Sequence, residues 1–249
     1  MKLMTHVVIG YPTLINTFKI VKAMVDCGVD MIELQIPFSD PLADGPTIMR
    51  ACEKSLENGT KVNDAFVLMK KLSGKVKIPL LFMAYYNTVF KYGTENFCRD
   101  AKATGAYGLI VPDMPIEEEN QEHFFASCRR YNLHNIQVVS PASTEERLEK
   151  NAKVASGFVY FTAHQGITGV KEKLDSKLIS NLKNLRNFFK VPIAVGFGIS
   201  KKKHLKEIAP YADIAVVGSA IINLINKSNK ENIEQNIRNF VKNIRFHNN

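Results

Sequence analysis

A glutamate ends an apolar run and an aspartate follows it in a proline-rich loop: Glu33-Leu34-Gln35-Ile36-Pro37-Phe38-Ser39-Asp40-Pro41-Leu42-Ala43-Asp44-Gly45-Pro46. Pro37, Pro41 and Pro46 fix φ while Gly45 permits a sharp exit, so the loop is stiff. Glu33 and Asp44 are therefore held at set positions over one pocket, as acid–base work on a small molecule requires. A plainer role stands beside each: Asp44 also suits the cap of a helix starting near Pro46, and Glu33 a pairing with a lysine.

Glycines form a second group, in Gln165-Gly166-Ile167-Thr168-Gly169, Gly196-Phe197-Gly198-Ile199-Ser200 and Val217-Gly218-Ser219-Ala220. Backbone N–H groups in such loops hold a phosphate, and a Cβ would block its approach. Ser219 lacks a neighbouring base, so it reads as a phosphate contact and not a nucleophile. Between the two groups lie Met83, Tyr85, Ile110, Phe197 and Tyr160, which imply a flat or apolar moiety opposite the phosphate end. The hydroxyl of Tyr160 is placed to reach a substrate oxygen.

These residues need a scaffold, and the chain's rhythm supplies one. Apolar, β-branched runs recur roughly every 25–30 residues with helical patterns between them. The spacing predicts strands at 4–9, 30–34, 79–84, 107–111, 136–139, 157–161, 192–195 and 213–217. Helices are expected over 16–27, stopping at Gly28, and over 94–104, stopping at Gly105. Ser143 and Thr144 can cap another that begins with Glu145 and Glu146; an extra one spans about 63–72, and 232–244 closes the chain. Eight strands alternating with helices, without a linker, indicate an α/β fold: a single (β/α)8 TIM barrel with extra helices, one domain over residues 1–249. No Gly-x-Gly-x-x-Gly follows the first strand, which weakens a dinucleotide-binding alternative. In such barrels the active site occupies the C-terminal mouth, where loops after strands seven and eight frequently form a phosphate site. Alternation on strand two sends Ile32 and Leu34 to the helix-covered side and Met31, Glu33 and Gln35 inward. An unpaired inward carboxylate is costly, which favours a functional reading of Glu33.

Composition narrows the classes. The net charge is +9, but the lysines are spread out and Lys201-Lys202-Lys203 opens a helix without interleaved aromatics, so no nucleic-acid partner is expected. No apolar run is long enough to span a membrane and the N-terminus lacks a signal-peptide layout, so no membrane partner is expected. Four cysteines, Cys27, Cys52, Cys98 and Cys128, read as buried thiols of a cytoplasmic protein. His123, His134, His204 and His247 are expected at the surface, and no histidine pair has ligand spacing, so no metal is expected.

Along nearly its whole length the chain resembles the tryptophan synthase α-subunit family. The resemblance rests on Ile32-Glu33-Leu34, the string from Pro37 to Ile48, Tyr86-Asn87, Val111-Pro112-Asp113-Met114-Pro115, Gly166-Ile167-Thr168-Gly169, Val195-Gly196-Phe197-Gly198-Ile199 and Gly218-Ser219-Ala220-Ile221. The proline-rich string is highly specific; the glycine loops are shared by other phosphate-binding barrels. The resemblance implies retro-aldol cleavage of indole-3-glycerol phosphate to indole and glyceraldehyde 3-phosphate, with no cofactor in this chain. It casts Glu33 as proton shuttle, Asp44 as partner of the indole N–H, and Tyr160 as orienter of the glyceryl hydroxyls. Gly169, Gly198, Gly218 and Ser219, with Thr168 in the same rim, would hold the phosphate; Phe197 and Met83 would flank the ring, with Tyr85 and Ile110 beside them. Asp40, Pro41, Asn87 and the segment Asp113 to Pro115 would face a pyridoxal-phosphate-carrying β subunit in an α2β2 assembly, with 164–169 as a lid.

Four features depart from the family pattern. Gln35 stands where glycine is usual, adding volume and hydrogen-bonding groups that would narrow the pocket mouth or restrain Glu33; Ala163-His164 stands where Ser-Arg is usual, and His6 where an apolar wall residue is usual. The usual covering helix ahead of strand one is lacking, which leaves apolar residues exposed at that end of the barrel. The departures suggest an alternative reading, a catalytically weakened α subunit kept to bind and activate its β partner.

Overall fold

Short runs of β-branched and aliphatic residues make the strands, and amphipathic segments between them make the helices that cover the sheet. The structure is a computed structural model and describes residues 1–162, 176–196, 198–229 and 231–245. In chain order the elements are β1 (Lys2–Val8), α1 (Leu14–Asp26), β2 (Met31–Gln35), α2 (Pro46–Glu57), α3 (Val62–Ser73), β3 (Leu80–Met83), α4 (Tyr86–Tyr92), α5 (Thr94–Ala103) and β4 (Gly108–Ile110). A 3-10 turn (Ile116–Glu118) then leads to α6 (Glu119–Glu122), α7 (Phe124–Arg130), β5 (His134–Val139), α8 (Glu145–Val154), β6 (Val159–Thr162) and α9 (Ser176–Phe188). The chain continues through β7 (Ile193–Gly196), α10 (Lys202–Ile208), β8 (Ile214–Val217), α11 (Ser219–Asn226) and α12 (Ile233–Ile244).

The eight strands pair in parallel and in sequence order, β8 returning to β1, so the sheet closes on itself as a (β/α)8 barrel. All eight expected strands are present, with ends shifted by a few residues. Thr144 accepts from the Arg147 N–H at the start of α8, and the helices α1 and α5 end before Gly28 and Gly105, both with positive φ.

Two apolar layers result. Ile32, Leu34, Phe82, Leu109 and Val159 point outward into the core shared with the helices. Met4, Met31, Leu81, Phe158, Ile214 and Val216 point inward and fill the barrel. The expected exposure at the N-terminal end is not seen among the described residues: Met4 and Leu81 are fully buried and Met31 is 4 % exposed. Tyr107, just ahead of β4, packs on this inner cluster and its ring lies 4.4 Å from that of His134 at the start of β5. The surface expectation for histidines also needs correction. His204 is 4 % exposed on α10, and its Nδ1 accepts from the Ser200 N–H; His134 is half-buried, His123 is exposed as expected, and His247 lies outside the described residues.

Strand β4 can pair closely with β5 because it opens on glycine. A Cβ on Gly108 would lie 2.5 Å from the His134 carbonyl oxygen, a contact only backbone movement relieves. Gly108→Ala should therefore destabilise the fold by about 1–3 kcal/mol, seen as a lower urea midpoint at an unchanged slope. A midpoint equal to the parent's would contradict this account of β4.

Candidate active site

Parallel pairing places residues of equal register on the same side of the sheet. His6 on β1 pairs with Glu33 on β2, so both side chains enter the barrel, above the Met4 and Met31 pair. Above the apolar filling lies a cavity of about 550 Å³. His6, Glu33, Asp44 and Tyr160 contribute its polar groups, and Met83, Ile110 and Val138 an apolar wall. Ser140, Ser143 and Arg147, from the β5–α8 connection and the first turn of α8, line it further.

Glu33 is 3 % exposed, and its Oε1 lies 3.4 Å from His6 Nδ1. Its other oxygen, Oε2, has no hydrogen-bond partner among the described residues, and neither has His6 Nε2. For His6, burial disfavours the charged form, but the Glu33 carboxylate, Asp44 and Gln35 outweigh it and raise the imidazole above its ordinary value. The lysine partner considered for Glu33 from sequence is thus replaced by a histidine on the neighbouring strand.

Asp44 is half-buried on the loop between β2 and α2. Its Oδ2 accepts from Gln35 Nε2 at 2.6 Å and from the Tyr85 hydroxyl at 2.8 Å. Tyr85 also accepts from the Ala43 N–H at 3.0 Å and stacks on Phe38, so the loop is pinned on both sides of Asp44. Burial raises the Asp44 carboxyl above the usual range; His6 and the two hydrogen bonds oppose that rise without cancelling it. Gly45, not Asp44, caps α2, and Pro46 opens it. The capping role therefore falls away, and Asp44 turns to the cavity instead.

Tyr160 stands on the same face of β6 as Phe158 and Thr162, as alternation predicts. A Cβ on Gly196 would lie 2.9 Å from its hydroxyl, so glycine at the end of β7 gives the ring its room. Gly218 lines the cavity and precedes α11 with no side-chain cap; the Ile221 N–H donates to the Gly218 carbonyl, which leaves the Ser219 and Ala220 N–H groups for an anion. Gly198 is exposed at a φ of +78°, with no atom within 4 Å of where a Cβ would stand. Thr168, Gly169, Phe197 and the 164–169 lid lie outside the described residues. Among the described residues no cluster of three or more His, Cys, Asp or Glu side chains could hold a metal ion. No described helix is long and apolar enough to cross a membrane.

The structure thus gathers Glu33, Asp44, Tyr160, Met83, Ile110 and Gly218 around one cavity. Tyr85 stands behind Asp44 and not on the cavity wall. Sequence reading named His6 only as a departure from an apolar wall residue and missed its pairing with Glu33, and it missed the Ser140, Ser143 and Arg147 edge. The signal for His6 was present, since it alternates inward with Met4 on β1, beside Glu33. Gln35, expected to narrow the mouth or restrain Glu33, donates to Asp44. Of the expected partner-facing residues, Asp40, Asn87 and Asp113 are exposed, Pro115 is half-buried and Pro41 is buried.

The tryptophan synthase alpha chain family model matches residues 1–249. The tryptophan synthase alpha chain of Desulfotalea psychrophila is 45% identical over 226 residues, covering 91% of this chain and 88% of that relative. That of Syntrophotalea carbinolica is 40% identical over 236 residues, covering 95% and 92%. Among solved structures, the tryptophan synthase complex from Pyrococcus furiosus superposes with a TM-score of 0.89 at 30% identity, covering 98% of this chain and 97% of that one. With the match of the family model over its full length, the chain belongs to the tryptophan synthase alpha chain family.

Proposed function

We propose that this chain cleaves indole-3-glycerol phosphate to indole and glyceraldehyde 3-phosphate by a retro-aldol reaction, and passes the indole to a pyridoxal-phosphate-dependent β subunit in an α2β2 assembly. The observation that carries this reading is the convergence of Glu33 and Asp44 on one cavity with an apolar wall. The reaction needs a proton delivered to C3 of the indole and another removed from the adjacent side-chain hydroxyl. Delivery to C3 places positive charge on the ring nitrogen. Removal of the hydroxyl proton then breaks the carbon–carbon bond, its electron pair returning to the ring as the aldehyde leaves.

Glu33 gives the first proton and takes the second, ending as it began; its unpartnered Oε2 suits that work. Asp44 opposes the charge on the ring nitrogen, with one oxygen already held by Gln35 and Tyr85. Met83 and Ile110 supply the wall against which the ring packs, and Tyr160 orients the glyceryl hydroxyls; Phe197, outside the described residues, is assigned to the ring by the family resemblance alone. The phosphate is held at the N-terminus of α11 by Gly218 and Ser219, with Gly198, Thr168 and Gly169 completing the rim. Exposed Leu42, Met49 and Phe90 lie near Asp40 and Asn87 in sequence, on the connection from β2 and on α2 and α4, which supports a partner surface there.

Glu33→Gln should abolish indole release while circular dichroism stays unchanged; near-parent turnover would remove Glu33 from the mechanism. Asp44→Asn should lower turnover by about 100-fold or more. Asp44 must be charged to act, and its carboxyl is raised, so parent activity should fall on acidification at a pH above the ordinary aspartate range. An acid limb unchanged in Asp44→Asn would contradict that assignment. Gln35→Gly removes a charged hydrogen bond and should cost about 10-fold or more in turnover. Equal or higher activity would return Gln35 to the role of an obstruction.

A further inference from the structure

Resting on the lyase reading, we propose that His6 is a positioning residue that holds Glu33 by one oxygen and keeps the shuttle's proton within the buried pair. Three observations converge. The imidazole Nδ1 lies at ion-pair distance, 3.4 Å, from Glu33 Oε1, while Oε2 is left for other work. Both side chains line the cavity, and each is at least 95 % buried, so bulk water is a poor source of the proton Glu33 must give. The two residues are register partners on adjacent strands, so the barrel itself fixes their separation. Catalytic hydrogen bonds in unliganded sites are often long and tighten with substrate, and 3.4 Å fits that pattern.

The proton count is simple. The pair holds one proton, shared between the His6 imidazole and the Glu33 carboxyl. Glu33 delivers it to C3 and then receives the hydroxyl proton, which restores the pair. The titratable groups facing His6 are Glu33 on its own strand neighbour β2 and Asp44 on the loop above; Tyr160, on β6, lines the same cavity. On the β8 side it meets Gly218, which carries no charge. Two carboxylates against one imidazole favour its protonated form, and burial opposes them without prevailing. The pair loses its proton as pH rises through the His6 titration, above 6.5, and turnover falls with it.

The test is the pH profile of indole release by the full chain with its β subunit, for the parent, His6→Phe and His6→Gln. The parent should show an alkaline limb. His6→Phe should lose about 10- to 100-fold in kcat with KM changed little, and should lack the limb. His6→Gln, which keeps an N–H donor but does not titrate, should recover part of kcat and still lack the limb. Parent-like kcat in His6→Phe, or a limb that persists in both variants, would overturn the proposal. In parallel, NMR titration of the His6 imidazole should give a lower pKa in Glu33→Gln than in the parent, and an unmoved titration would also overturn it. Absence of indole release by the parent would sink the lyase reading itself; an active parent with unaltered His6 variants sinks only the role of His6.

Discussion

A carboxylate taken out of water must be balanced by an opposite charge or by donors, or it takes up a proton. Two such groups share the mouth of this barrel, and the rest of the site follows from how each is balanced. Glu33 has an imidazole on one oxygen and nothing on the other. Asp44 has two donors on a single oxygen. Each acid is thereby held from one side and left open on the other, which suits one to moving protons and the other to opposing a charge that appears and disappears.

The scaffold makes this arrangement durable. Glu33 sits on a strand whose neighbours on both sides are fixed by the closed sheet, and His6 follows from the register of β1. Asp44 sits on a loop, the less precise kind of support, and needs more restraint. The prolines stiffen it, Phe38 packs on Tyr85, and Tyr85 bonds to both Ala43 and Asp44. Gln35 reaches the same carboxylate from the end of β2, so strand and loop are joined through the acid they present.

Much of this was legible from residue order alone. Strand alternation placed Glu33 inward, Tyr160 and Met83 were named as candidates for the same pocket, and the glycine before α11 pointed to an anion site, because period and backbone freedom are local properties. The role of His6 was hidden for a different reason. On one strand it looks like a substitution in an apolar wall, and only the pairing of β1 with β2 turns it into the partner of a buried acid. The partner of Gln35 was hidden in the same way, because its amide reaches a loop residue whose place depends on the fold of the whole connection. The packing of Tyr107 on the inner cluster and against His134 was likewise hidden, because the meeting of these side chains depends on the register of β4 and β5.

The most direct test is a crystal structure of the full chain with a non-cleavable analogue of indole-3-glycerol phosphate that keeps the ring and the phosphate. The ring N–H should donate to Asp44, C3 should lie beside Glu33, and the phosphate should rest on the first turn of α11. An analogue seated with its phosphate elsewhere, or its ring away from both acids, would contradict the account.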